Sequence, residues 1–386
     1  MRTIKRTQDI PEYVFSRLDE LKAKLISQGT TVINLGIGDP DTPTPSFIVE
    51  QLEKSLDQEG VFSYPPYNGI REFREAVCYY YYDKYKVELN PDTQVAALIG
   101  SKEGIAHAIL GLTDPGDRIL IPDIGYPVYS AAAAVAGCSC SFLHLREDRR
   151  YLPDLKEIKE EENPRLVIVN YPNNPTGAVA DESFFSNLME KAHKLDMVAI
   201  NDGAYMDIVR EGIRPCSILS TEYGTDNAIE FGSLSKSFNM TGWRIGFAAG
   251  STEAIQQLMK IKTNFDSGQF IPIQKAAALA LTQGTYYTGY MNELYSERRK
   301  RAEECLGNKG LKYFSSNGTF YIWFRVPEGF SSSGFAEYVL NSTGIIITPG
   351  SAFNSGGEGW CRISLTVSDE LLEEALKRIA NLHICP

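Results

Sequence analysis

The sequence predicts an α/β fold with a mostly parallel central sheet flanked by helices, plus a smaller α+β domain. Three observations lead there. Short unbroken apolar runs recur through the middle of the chain, such as Leu166-Val167-Ile168-Val169 and Met197-Val198-Ala199-Ile200. Helix-length stretches separate these runs, which is the pattern of strands buried on both faces. Beyond residue 284 the alternation gives way to a long charged helix and then to strands and helices in mixed order.

In chain order, residues 9–28 place Tyr13, Val14, Leu18, Leu21, Leu25 and Ile26 at helical spacing and stop at Gly29. Val32–Leu35 is expected to be a short strand entering the Gly/Pro-rich loop 36–45. Helices are expected at 46–57 and Ile70–Tyr85, with the turn Tyr64–Gly69 between them. Strands follow at Gln94–Ile99, Arg118–Ile121, Ser141–Leu145, Leu166–Asn170, Met197–Asn201 and Ala228–Gly232. Between them lie helices at Lys102–Leu112 (capped by Ser101), 126–136, Asp154–Glu161 and Asp181–Leu195. Arg244–Ala249 reads as a further strand opened by Arg244. The final third predicts helices at 284–306 and Asp369–Leu382 around strands Gly318–Val326, Gly344–Thr348 and Cys361–Leu365. The expected division is an N-terminal segment, 1–45, packing with the small domain; a large cofactor-binding domain, 46–283; and a small C-terminal domain, 284–386.

Composition narrows the function classes. Against 38 basic residues stand 49 acidic ones, a formal charge of −11, which argues against nucleic acid or anionic membrane as a partner. No run of eighteen uncharged apolar residues suggests a membrane span, and no apolar run follows Met1-Arg2-Thr3-Ile4-Lys5-Arg6 to suggest a secretory leader. Seven scattered cysteines suit reduced thiols in a cytoplasmic enzyme. Cys138-Ser139-Cys140 has no histidine at ligand spacing, so no metal is expected.

Three segments carry the chemistry, each beginning where an apolar strand ends. They are Tyr171-Pro172-Asn173-Asn174-Pro175-Thr176-Gly177, then Asn201-Asp202-Gly203-Ala204-Tyr205, then Ser233-Leu234-Ser235-Lys236 with Arg244 beyond it. Singly they have plainer readings: a solvated lysine beside serines, a common turn. Together they supply an amide, a carboxylate, a phenol, an amine and a guanidinium. A phosphorylated aromatic aldehyde such as pyridoxal 5'-phosphate needs all five, the amine for a Schiff base, the acid for the ring nitrogen and the cation for the phosphate. A lysine in apolar surroundings is more readily neutral and nucleophilic. Gly100-Ser101-Lys102-Glu103-Gly104 opens a helix after a strand, where free N–H groups favour phosphate. Tyr126 follows a strand and could stack on a cofactor, or be a core tyrosine. Arg362, inside the apolar run Trp360–Leu365, needs an anion, from the protein or from a substrate.

In these motifs and their order the chain resembles the class I/II pyridoxal-phosphate aminotransferases of fold type I, over nearly its whole length. The resemblance implies Lys236 as the Schiff-base lysine, Asp202 as the partner of the pyridine nitrogen, and Asn174 and Tyr205 as contacts of the ring oxygen. It implies Tyr126 as the stacking aromatic and Ser101, Lys102, Ser233 and Arg244 as the phosphate set. Tyr64, in Tyr64-Pro65-Pro66-Tyr67-Asn68-Gly69, would reach the phosphate of the neighbouring subunit in a homodimer. Arg362 would bind the substrate α-carboxylate, with Gly36 and Asn174 beside it. The segments Ile10–Phe15 and Leu35–Pro40 look like the LL-diaminopimelate branch, and also like bacterial alanine and aspartate aminotransferases. On the first likeness Tyr13 joins the substrate pocket, and the acceptor is 2-oxoglutarate. A β-lyase would keep the same pocket. An acyl-enzyme hydrolase built on Ser-x-x-Lys would need Lys-Thr-Gly and Ser-Asp-Asn elsewhere, and the chain offers only Lys262-Thr263-Asn264 and Thr225-Asp226-Asn227.

Overall fold

A computed structural model describes residue 10 and residues 14–27 and 29–383. After the helix Val14–Ser27 comes β1 (Ile33–Asn34). The central sheet then takes β2 (Val95–Leu98), β3 (Arg118–Pro122), β4 (Ser139–Leu143), β5 (Leu166–Val169), β6 (Val198–Asp202), β7 (Ala228–Ser233) and β8 (Gly246–Gly250). Their order across the sheet is β2-β8-β7-β6-β5-β3-β4. All adjacent pairs are parallel except those made by β8, which is antiparallel to β2 and to β7. Six strands therefore run one way and β8 runs against them.

Side-chain alternation along each strand feeds two cores. Val167 and Val169 join the cluster holding Phe184, Phe185 and Leu188, from the helix Glu182–Lys194. Leu166 and Ile168 point the other way, into the cluster holding Ile105, Ile109, Ala133 and Leu258. Covered on both faces, the strands need no polar alternation. Each fully buried aliphatic side chain contributes about 1.5–3 kcal/mol relative to exposure.

The final third adds β9 (Tyr321–Arg325), β10 (Ile345–Ile346), β11 (Thr348–Pro349) and β12 (Trp360–Ser364). β12 lies between β11 and β9, antiparallel to both. β1 pairs in parallel with β10, and Ile33 and Leu35 sit in the same core as Phe324, Ile347 and Ile363. The loop after β1 is thereby fixed against this smaller sheet.

Several local expectations change. Asp154–Glu161 is not a helix but two 3-10 turns, Leu155–Glu157 and Glu160–Glu162. Asp154 accepts from the Lys156 amide and Asn163 is left-handed, and both features favour turns over a continued helix. Ser101 is the first helical residue, and the cap position belongs to Gly100. Arg244 does not open β8; it stands two residues before it with φ +55°. The helices Thr252–Phe265 and Ile271–Gln283 were not anticipated. Among the described residues no helix is long and apolar enough to cross a membrane.

Candidate active site

Because β2, β3, β5, β6 and β7 run the same way, the segments that follow them emerge at one edge of the sheet. β8 runs in reverse, so the segment that precedes it emerges there too. This is the edge at which open α/β sheets bind ligands. A cavity of about 420 Å³ lies there, lined by Ser101, Lys102, Tyr126, Asn174, Asp202, Tyr205, Ser233, Lys236, Arg244 and Arg362. Asp39 and Gly38, from the loop after β1, also line it.

Lys236 lies in the short helix Leu234–Ser237 that follows β7, and its Nζ donates to the Gly38 carbonyl at 2.6 Å. Burial lowers its pKa to about 8; Asp39 opposes the shift, while Arg244 and Arg362 add to it. About one amine in ten is then neutral at pH 7, against fewer than about one in a thousand for an ordinary lysine.

Asp202 ends β6 and is buried. Its Oδ2 accepts from the Tyr129 hydroxyl at 2.7 Å. Burial raises its pKa to about 6, opposed by that hydroxyl and by the Ala204 amide. Oδ1 is equally buried and has no hydrogen-bond partner of ordinary geometry. A buried carboxylate oxygen in that state is costly unless a ligand donates to it. Asn170 steadies this region, with Nδ2 donating to the Asp202 carbonyl at 2.5 Å and Oδ1 accepting from the Asn174 amide at 2.8 Å.

At the other end of the cavity, Arg244 Nη1 donates to the Thr241 carbonyl at 2.9 Å. The guanidinium lies against Gly100, where a Cβ would stand 2.4 Å from Nη2. Gly100, with φ +84°, therefore allows the arginine to reach the first turn of the helix Ser101–Leu112. Guanidinium, free helical N–H groups and the Ser101, Ser233 and Ser235 hydroxyls make a phosphate-type cradle. Lys102 Nζ is 5.9 Å from the Tyr126 ring centroid.

Arg362 is 1% exposed. Its Nη1 donates to Asn174 Oδ1 at 2.6 Å and its Nη2 to the Gly36 carbonyl at 2.5 Å. The guanidinium carbon is 4.0 Å from the Tyr321 ring centroid and 4.8 Å from that of Phe353. Gly36 acts through its carbonyl, behind the arginine, and does not itself line the cavity.

Tyr64 is 87% exposed and is not part of this cavity. Tyr13 lies outside the described residues. Sequence reasoning missed Tyr129, Asn170, Ser235, Thr241, Tyr321 and Asp39. Tyr129 and Tyr321 sit in apolar runs and read as core. Tyr321 shares a sheet face with Arg362 only through the β9–β12 register, which the sequence does not reveal. Among the described residues one group, Glu103, His107 and Asp266, has metal-ligand proximity, but the Lys262 ammonium already sits 3.0 Å from Glu103 and 2.9 Å from Asp266.

Pyridoxal 5'-phosphate fits this donor set, on the partnerless acid oxygen at one end and the Gly100–Arg244 cradle at the other. The aminotransferase class I and II family model matches residues 30–379. The LL-diaminopimelate aminotransferase of Oleidesulfovibrio alaskensis is 44% identical over 380 residues, 98% of each chain. The enzyme of the same name from Aquifex aeolicus is 44% identical over 381 residues, again 98% of each. Substrate-bound BacF from Bacillus subtilis superposes with a TM-score of 0.94 at 34% identity, covering 99% of this chain and 98% of its own. An aspartate aminotransferase from Thermotoga maritima gives 0.90 at 31%, covering 98% and 99%.

Proposed function

The chain belongs to the aminotransferase class I and II family, and from that premise we propose that it moves the amino group of LL-diaminopimelate to 2-oxoglutarate. Its pyridoxal-phosphate-dependent amino transfer follows from the family. The donor is supported by relatives of that name at 42–44% identity over nearly the whole chain. The observation that carries the chemistry is the meeting of Lys236, Asp202 and Arg362 around one cavity.

When bound, pyridoxal 5'-phosphate supplies an aldehyde for an amine to capture and a ring that withdraws electrons from the substrate carbon. Lys236 would hold the aldehyde covalently, and its amine, when free, would carry the α-proton. Its lowered pKa suits both tasks near neutrality. Asp202 holds a proton on the pyridine nitrogen through Oδ1, while Tyr129 fixes Oδ2. Tyr205 and Asn174 contact the ring oxygen, and Tyr126 flanks the ring. Ser101, Lys102, Ser233 and Arg244 hold the phosphate, and Ser235 adds a hydroxyl. Arg362 takes the α-carboxylate, its guanidinium pre-oriented by Asn174 and the Gly36 carbonyl.

The protein works as a cytoplasmic homodimer with an active site at each subunit boundary, and Tyr64 reaches the phosphate of the second copy. Around it Phe62 is 75% exposed with its ring 6.1 Å from Phe270, which supports an aromatic contact face. We place the large domain at 46–283 and the small one at 284–386; the β1–β10 pairing supports putting the N-terminal segment on the smaller domain. A donor panel with 2-oxoglutarate tests the substrate: LL-diaminopimelate, alanine, aspartate, methionine and an aromatic amino acid. The reading expects the highest kcat/KM with LL-diaminopimelate, and a higher value for alanine or aspartate would reassign the donor.

A further inference from the structure

Tyr321 has no part in the chemistry above, yet it touches two groups that do and a third, Gly38, that accepts a hydrogen bond from Lys236. It is 2% exposed and lines the cavity. Its Oη is 2.9 Å from Tyr205 Oη. Its ring lies beneath the Arg362 guanidinium, at 4.0 Å. Its hydroxyl packs on Gly38, where a Cβ would stand 1.8 Å from Oη, and the carbonyl of Gly38 accepts from Lys236. The register explains the placement: Arg362 faces Trp323, so Tyr321, two residues away, is the diagonal neighbour of Arg362 on the same sheet face.

We propose that Tyr321 is a positioning residue that fixes Tyr205 through its hydroxyl and Arg362 through its ring, so that one side chain aligns the cofactor contact with the carboxylate contact. The proposal rests on the roles given above to Lys236, Tyr205 and Arg362. Tyr205 has one hydroxyl proton. If that proton goes to the cofactor's ring oxygen, the proton between the two tyrosines must come from Tyr321. So supported, Tyr205 would be the stronger donor to the cofactor and would hold the pH midpoint of the loaded enzyme's absorbance lower. The ring has a separate task, since a guanidinium over an aromatic face is held in orientation by the ring quadrupole.

Two variants of the cofactor-loaded enzyme separate the two tasks. Absorbance is followed against pH, and kinetics are measured with LL-diaminopimelate, alanine and aspartate, which share the α-carboxylate. Tyr321→Phe keeps the ring, so KM stays near the wild-type value, while the spectral midpoint rises by about half to one pH unit. Tyr321→Leu shows the same midpoint shift and, in addition, a KM raised about three- to tenfold for every donor turned over. An unchanged midpoint in Tyr321→Phe, or an unchanged KM in Tyr321→Leu, overturns the proposal. A wild-type enzyme with no covalently held cofactor at Lys236 fails the underlying reading instead.

Discussion

Two buried acids on neighbouring strands divide structural from chemical use of a carboxyl group. Glu230 on β7 and Asp202 on β6 are both buried, and burial raises the pKa of each. Glu230 is saturated: Ser217 Oγ donates at 2.5 Å, Asn201 Nδ2 at 2.8 Å and the Ile218 amide at 3.2 Å. Asp202 has one side-chain donor, Tyr129, and one oxygen without any. The saturated acid ties the sheet to the Ser217–Ser220 turn, and the unsaturated one faces the cavity. Burial alone does not mark a functional acid; an unfilled bonding capacity beside a cavity does.

The comparison can be broken by substitution. Asp202→Ala is expected to lower turnover by about 10²–10⁴-fold while stranding a single buried side-chain donor, the Tyr129 hydroxyl, so that urea stability falls by only about 1–2 kcal/mol. Glu230→Ala is the converse. Stranding three buried donors costs about 2–4 kcal/mol in urea unfolding, while activity per folded molecule stays near wild type. Equal activity losses in the two variants would erase the distinction.

Acidity sharpens it further. The folded pKa of Asp202, about 6, lies above the unfolded carboxylate value, so the native state binds the proton more tightly. Its contribution to stability is complete below about pH 4 and is lost as pH rises through about 6, amounting to roughly 3 kcal/mol. Cofactor-free wild type should therefore lose that much relative to Asp202→Asn across this window, read by urea titration at each pH. Parallel pH curves for the two proteins would contradict the assignment. The smallest effect is that of Tyr129→Phe, which removes the one side-chain donor of Asp202. Its turnover should fall about three- to tenfold at pH 7, with kcat/KM shifted toward higher pH.

The strands that carry Asp202 and Lys236 were legible because they are buried on both faces and read as unbroken apolar runs. The direction of β8 was not, since Gly246-Phe247-Ala248-Ala249 is equally apolar either way and its orientation is set by the short connection through Arg244. The helix Ile271–Gln283 escaped notice because residues buried around most of its circumference, such as Pro272, Gln274, Ala276, Ala277, Ala278 and Leu281, leave no polar stripe to read. In the site, residues whose chemistry is rare in an apolar run, such as Lys236, Asp202 and Arg362, stood out. Tyr129 and Tyr321 did not, because a tyrosine in such a run is usually core and its partners lie 73 and 116 residues away.

The most direct test of the account is borohydride reduction of the cofactor-loaded enzyme followed by peptide mapping. The account predicts one pyridoxyl label, on Lys236, and none in Lys236→Ala. A label on another lysine, or undiminished labelling of Lys236→Ala, would contradict it.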